Sequence, residues 1–369
     1  MATLIPSSDL PARGLRLHGV HKEFAGQTVV DNLNLEIEEG SFVALLGPSG
    51  CGKTTTLRMI AGFDTLSSGR ISLGSTVLAS DHQQLPPELR NMSMVFQSYA
   101  LWPHMTVADN VGYPLKLKGY NKGSDFQRRV REALATVQME PYAQRRPQDL
   151  SGGQRQRVAL ARCLASEPRV VLLDEPLANL DRHLRASMED SFRDFHRRTG
   201  ATFIYVTHDQ AEAMALADRI AVMHKGQLVQ WDAPEALYQR PQNAWVAGFI
   251  GQGSVVRLPL SSSERLLSSA QVQQALAALQ NKPSATEEVL IRPQHVELDP
   301  AGVPATVTHC VFKGERYQFV LQLQDGQSLQ AYHWQGLPTG AQIAITVRQG
   351  WRLQEQPAGS TRPTLASVA

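Results

Sequence analysis

"SFVALLGPSGCGKTTTLRMIAGF", Ser41–Phe63, is an apolar run, a glycine-rich loop and a segment with helical spacing, and its reading decides the fold. The run before the loop has the composition of a strand buried on both faces. The loop satisfies G-x-x-x-x-G-K-[ST] with Gly47, Gly52, Lys53 and Thr54 in the defining places, and Pro48, Ser49, Gly50 and Cys51 between them. Glycines let the backbone turn so that successive N–H groups face inward, and the helix opening at Lys53, Thr54 and Thr55 adds its positive end. Lys53 can then reach the outer phosphates of a nucleotide, and the Thr54 hydroxyl can serve a magnesium ion. Glycine loops also occur as plain turns, but the complete pattern between strand and helix favours ATP or GTP.

Two further apolar runs end in polar residues. "RVVLLDEP" delivers Asp174 to the magnesium-water shell and Glu175 to a position where it can polarise an attacking water, and "TFIYVTHD" delivers His208. Upstream, "LRLHGVHKEFAGQTVVDNLNLEIEEG", Leu15–Gly40, alternates apolar and polar residues about a break at Gly26-Gln27, which predicts an antiparallel hairpin. Between the glycine-loop segment and "RVVLLDEP", from about Leu89 to Ala165, the pattern turns helical: "SDFQRRVREALATVQM" sets apolar residues beside a charged face. The expectation is a parallel-sheet core with an inserted helical subdomain and an antiparallel β subdomain at its start. Beyond Pro241–Gly253 come "EEVLIRPQHVEL", "PATVTHCVF", "YQFVLQLQDGQSLQAYHW" and "AQIAITVRQGW", short strands with turns between, which predict a small all-β barrel. The tail "QEQPAGSTRPTLASVA" has the composition of a disordered segment.

Composition excludes several classes. The 369 residues carry 36 Lys and Arg against 34 Asp and Glu, a net charge of +2, so no single-sign field points to nucleic acid. Cys51, Cys163 and Cys310 lack C-x-x-C spacing, which argues against a disulfide framework and a structural zinc site and fits a reducing compartment. No apolar run approaches the roughly 20 residues of a membrane-spanning helix, so membrane association is expected through a partner.

A second glycine-bearing loop runs into a helix at "LSGGQRQRVALAR", Leu150–Arg162. Here the chain resembles the nucleotide-binding subunits of ATP-binding-cassette transporters, whose signature sequence this stretch reproduces. The resemblance implies that Ser151, Gly152, Gly153 and Gln154 serve the γ-phosphate of an ATP held by the other subunit of a head-to-tail dimer, so each loop belongs to a different ATP. It implies Gln97, in "MVFQSYALWPHMTVADNVGY", as a sensor of magnesium and water, "ANLD", Ala178–Asp181, as the interface-crossing D-loop, His208 as the switch histidine and Phe24 as the adenine-stacking ring. Two positions depart from the usual pattern: the D-loop more often begins with serine, and tyrosine more often occupies the place of Phe24. Trp102 stands where relatives usually carry phenylalanine, near where a permease's coupling helix docks in this family.

"GQLVQWDAPEALYQRPQNAWVAGFIG" followed by "IRPQHVEL" resembles the ATPases of binding-protein-dependent importers that carry an OB-like regulatory (TOBE) barrel. The implied organisation is a lead over 1–14, a cassette over 15–250, the OB-like domain over 251–354 and a tail over 355–369. The implied assembly is a homodimer, or a pair with a similar ATPase, using ATP and Mg2+ at the cytoplasmic face of the membrane beneath integral permease subunits. A periplasmic or lipoprotein solute-binding protein would act with it indirectly. Ferric iron ranks first as solute, with polyamine, phosphonate, phosphosugar and sulfate as alternatives, because the solute never touches this subunit. A soluble non-transport cassette would instead carry two cassettes or a long coiled coil between its two loops, and this chain has neither.

Overall fold

A computed structural model describes residues 14–96, 98–120, 123–178, 182–281 and 285–354. The lead and tail segments therefore lie outside the described residues, apart from Gly14. The chain divides into two compact units, meeting between Pro234 and Glu235.

The first unit is built on a six-stranded sheet. In order across the sheet its strands are Gln227–Asp232, Arg219–His224, Phe42–Leu46, Thr202–Thr207, Val170–Asp174 and Met92–Val95. All neighbours are parallel except the antiparallel pair at the Gln227–Asp232 edge. Every residue of Phe42–Leu46 and Thr202–Thr207 is buried, which is why these runs are uniformly apolar where an exposed sheet would alternate. Leu46 pairs with Thr207 and Asp174 with Val206. The carboxyl ends of the three central strands therefore lie side by side, and the glycine loop, the acidic pair and the histidine all leave from that edge.

The predicted hairpin forms from Leu15–Phe24 and Gln27–Ile37, with Ala25 and Gly26 both at positive φ, 48° and 85°, as the tight turn of a right-twisted hairpin requires. It extends into a five-stranded antiparallel sheet with Ser68–Leu73, Thr76–Ser80 and Gln83–Gln84. The helical subdomain comprises Val107–Leu117, Ser124–Thr136 and Gly152–Ala165. It begins later than the pattern suggested, because Met92–Val95 is taken up as an edge strand beside Val170–Leu173. No described helix is long and apolar enough to cross a membrane. The three cysteines are unpaired, and burial pushes the Cys163 thiol up to about 12.

The second unit holds two four-stranded antiparallel sheets that curl round a common core, the OB-like barrel expected. One contains Ser254–Leu258, Glu287–Ile291, Gln349–Arg352 and Leu266–Ser268; the other contains Ser328–His333, Tyr317–Leu323, Val296–Phe312 and Gln342–Val347. Leu258, Leu267, Phe319 and Ile345 meet in that core. A helix, Ser269–Ala278, joins it, opened by a reciprocal cap between Ser268 and Gln271. Arg292 is buried and donates to the carbonyls of Tyr238, Ile250 and Gln252 at 3.1, 2.8 and 2.9 Å, and burial lowers its pKa to about 10.

Candidate functional site

The glycine loop is shaped by close backbone approach. A Cβ at Gly47 would lie 2.2 Å from the Met223 carbonyl oxygen, and one at Gly52, whose φ is +99°, would lie 2.6 Å from that of Val29. Neither position tolerates a side chain. Gly52 in the left-handed region starts the helix Lys53–Ala61, so the first N–H groups of that helix open onto the loop. Lys53 is buried, and its ammonium donates to the carbonyls of Gly47 and Pro48 at 2.8 and 3.0 Å, which keeps the charge at the mouth of the loop.

The acidic strand end meets the loop directly. Thr54 Oγ1 donates to Asp174 Oδ1 at 3.0 Å, joining the two oxygen donors that the pattern had assigned to one metal ion. Burial, with Glu175's charge adding to it, raises the Asp174 pKa against the lowering effect of the Thr54 hydrogen bond and of Arg58 and Lys53. A hydroxyl and a desolvated carboxylate form a hard oxygen set that suits Mg2+. Glu175 is a non-glycine residue at φ 44°, held there by its N–H donating to the Val206 carbonyl at 3.0 Å. Such a conformation costs about 1–2 kcal/mol and is found where a site over-determines it. Its carboxylate lies 3.3 Å from His208 Nδ1. Lys53, Thr54, Asp174, Glu175 and His208, separated by up to 155 positions in sequence, thus form one cluster.

Phe24 lies at the end of its strand, 45% exposed, with the Lys22 ammonium 4.4 Å from its ring centroid. The cation covers one ring face, and the exposure leaves aromatic surface for stacking. Gln97 and Asn179–Asp181 lie outside the described residues.

The second loop is organised separately. Ser151 N–H donates to Gln154 Oε1 at 2.9 Å, and Gln154 N–H donates to Ser151 Oγ at 3.3 Å, a reciprocal cap for the helix Gly152–Ala165. Gly152 sits in the first turn, where glycine is among the poorest helix formers. Among the described residues nothing lies within 4 Å of where its Cβ would be, and its φ is not positive. Among the described residues no contact requires this glycine, and the space beside it is open.

Several polar side chains that hold these parts were not foreseen. Gln156, buried in the signature helix, donates to the Pro176 carbonyl just after Glu175. Arg162, at the other end of that helix, donates to the carbonyls of Ala100 and Tyr99 at 2.7 and 3.0 Å, both residues at positive φ, and lies 4.9 Å over the Trp102 ring. Asn110 bonds both the N–H and the carbonyl of Trp102. The sequence signal for such residues is a polar side chain at an apolar-face position of a helix, as Gln156 is.

These features define a class: a P-loop ATPase with a second acidic residue beside the Thr54-bonded Asp174 and a second glycine-bearing loop that opens a helix. Residues 30–178 match the family of ABC transporter ATP-binding domains, and residues 289–350 match the TOBE domain. The spermidine/putrescine import ATP-binding protein PotA of Vibrio parahaemolyticus is 39% identical over 92% of this chain and 93% of its own length. The sn-glycerol-3-phosphate import ATP-binding protein UgpC 1 of Rhizobium johnstonii is 49% identical over 64% of this chain and 63% of its own. A dimeric ATP-binding cassette in a post-hydrolysis state, bound to ADP and Pi, superposes with a TM-score of 0.53 at 30% identity, covering 60% of this chain and 98% of that one. The chain belongs to the TOBE-containing ATP-binding subunits of ABC importers, and it hydrolyses ATP in support of transport. Placing ferric iron first finds no support in these relatives, whose names specify a polyamine and a phosphorylated polyol.

Proposed function

We propose that this chain is the ATPase of a polyamine importer, working as a homodimer at the cytoplasmic face of the membrane beneath permease subunits fed by a solute-binding protein. The observation that carries the solute is the similarity to a spermidine/putrescine import protein, which runs through both the cassette and the barrel. The higher identity to a glycerol-3-phosphate import protein is confined to about two thirds of the chain and favours that solute as the second reading.

In each site Lys53 and the loop N–H groups grip the phosphates, while Thr54 and Asp174, 3.0 Å apart, would hold Mg2+, with Gln97 as the further metal residue that the resemblance implies. A metal held there would neutralise charge on the outer phosphates. Glu175 takes a proton from a water as its oxygen bonds to the γ-phosphorus and the bond to the ADP oxygen breaks. His208, beside Glu175, secures the γ-phosphate, Phe24 stacks on adenine, and Ser151–Gln154 of the partner close over the same phosphate.

The test is uptake of labelled putrescine, spermidine, glycerol 3-phosphate and ferric iron in cells of the source organism carrying the native chain or Glu175→Gln. Selective loss of polyamine uptake in the variant supports the reading. Loss confined to glycerol 3-phosphate replaces the solute, and survival of all four under starvation for each removes it.

A further inference from the structure

His208 is exposed at its tip, but its main chain is held from below by a charged network. Glu212 is buried, with a side chain 4% exposed, and its Oε2 accepts from Tyr205 OH and Thr207 Oγ1, both at 2.7 Å. Thr207 Oγ1 in turn accepts the N–H of Asp209 at 2.9 Å. Asp209 caps the helix Gln210–Leu216 through its Oδ1, which takes the N–H groups of Ala211 and Glu212. The residues on both sides of His208 are thus tied to the two carboxylates, Asp209 and Glu212. The cation among them comes from elsewhere: Arg185, on the helix Arg182–Thr199 that follows the Ala178–Asp181 stretch, places Nη1 2.9 Å from Asp209 Oδ2 and Nε 3.6 Å from Glu212 Oε1.

We infer that Arg185 is a positioning residue for hydrolysis: its guanidinium locks the histidine loop to the helix after the D-loop, so that His208 holds its place only when that helix does. The inference rests on His208 contacting the γ-phosphate. A guanidinium is suited to this because its planar fork spans two carboxylates at once, which a lysine ammonium serves only as a point charge. A third carboxylate lies close by. Glu189, one turn along the same helix, has its pKa raised by burial and then by Glu212's charge, and Arg193 lies near enough to oppose this. Without Arg185, Asp209 and Glu212 face each other and Glu189 with their main compensating charge gone, and the Thr207–Asp209 segment relaxes away from its partner helix.

The purified full-length chain, with Arg185→Met, Arg185→Lys, Glu212→Gln and the Arg185→Met/Glu212→Gln pair, tests this through ATPase kinetics. Arg185→Met is expected to lower kcat about tenfold while leaving the KM for ATP within about twofold, because positioning is lost and the phosphate grip is not. Arg185→Lys should recover part of kcat. Glu212→Gln should recover most of it in the Arg185→Met background, since the amide oxygen still accepts from Tyr205 and Thr207 without an uncompensated charge. A role in folding alone would lower the folded fraction and leave kcat per folded molecule unchanged, so each rate is normalised to the folded fraction read from thermal melts. Parental kcat in Arg185→Met, or no rescue by Glu212→Gln, overturns the inference. If Arg185→Met does not fold, Asp209→Asn serves instead, with the same kcat loss expected and an unchanged kcat decisive against. His208→Ala separates the two readings: parental turnover in that variant removes the role of His208, whereas an inactive His208→Ala beside a fully active Arg185→Met removes only the coupling.

Discussion

At the scale of single residues, Asp174 answers two opposed demands. The proposed mechanism needs its charge, but burial and Glu175 push its pKa up, so the ionised form is held against the preference of its surroundings. A carboxyl whose folded pKa is raised stabilises the fold fully below its ordinary value of about 4 and loses that contribution as pH rises through the raised value. At pH 7 the ionised Asp174 is therefore a net cost. Asp174→Asn should raise the Tm of the nucleotide-free protein at pH 7, with the difference fading toward pH ~4. The amide oxygen can still accept from Thr54, so packing is kept. ATPase activity should fall by about 100-fold or more, since a neutral ligand gives up the charge that organises the metal. Thermal melts across pH together with an ATPase assay check both halves; a Tm at or below that of the parent would mean that the hydrogen bond outweighs the desolvation. The sequence marks Asp174, Thr54, Glu175 and His208 as candidate site residues, and the structure brings Thr54 to Asp174 and His208 to Glu175. That His208 and Glu175 stand 3.3 Å apart was not legible, because contact across two strand ends depends on strand order.

Among the elements, those with unmixed periodicity were readable: the buried strands ending at Leu46, Asp174 and Thr207, the hairpin about Gly26 and the helix Ser124–Thr136. Met92–Val95 escaped because four residues, only one of them fully buried, are too few to show a period beside long helical stretches. Arg90 escaped for another reason: it is buried and donates to the carbonyls of Met59 and Ile60 at the end of the P-loop helix, and which carbonyls a helix leaves unpaired appears only once its end is placed. Glycine patterns can be read for geometry as well as for motif. Gly52 combines a left-handed φ with an approach of 2.6 Å to the Val29 carbonyl, so Gly52→Ala should destabilise the chain by about 3 kcal/mol, the sum of a backbone term and an overpacking term. Denaturant titration measures it, and a loss under ~1 kcal/mol would show that the strand carrying Val29 can give way.

For the whole molecule, the question is why one chain carries two anion-facing loops. The first is complete within the chain: the N–H groups of its helix, Lys53, Thr54 and Asp174 converge on one place. The second has a capped, exposed helix start and open space at Gly152 among the described residues, which under the proposed function leaves room for a ligand brought by something else. If that is the ATP of a second copy, nucleotide is the glue of the dimer, and hydrolysis is what dissolves it. Removing the proton acceptor while keeping the phosphate grip should then trap the closed form. Glu175→Gln in saturating ATP and Mg2+ should sediment as a dimer and turn over at less than about 1% of the parental rate, because binding contacts remain and only the route for the water's proton is lost. Omitting ATP should return it to monomer, and adding Gly152→Leu should do the same with nucleotide still bound, since a bulky side chain would fill the space left open at the second loop. A Glu175→Gln chain that binds ATP yet stays monomeric at all concentrations would sever the two loops from each other, and the second would then need a different anion.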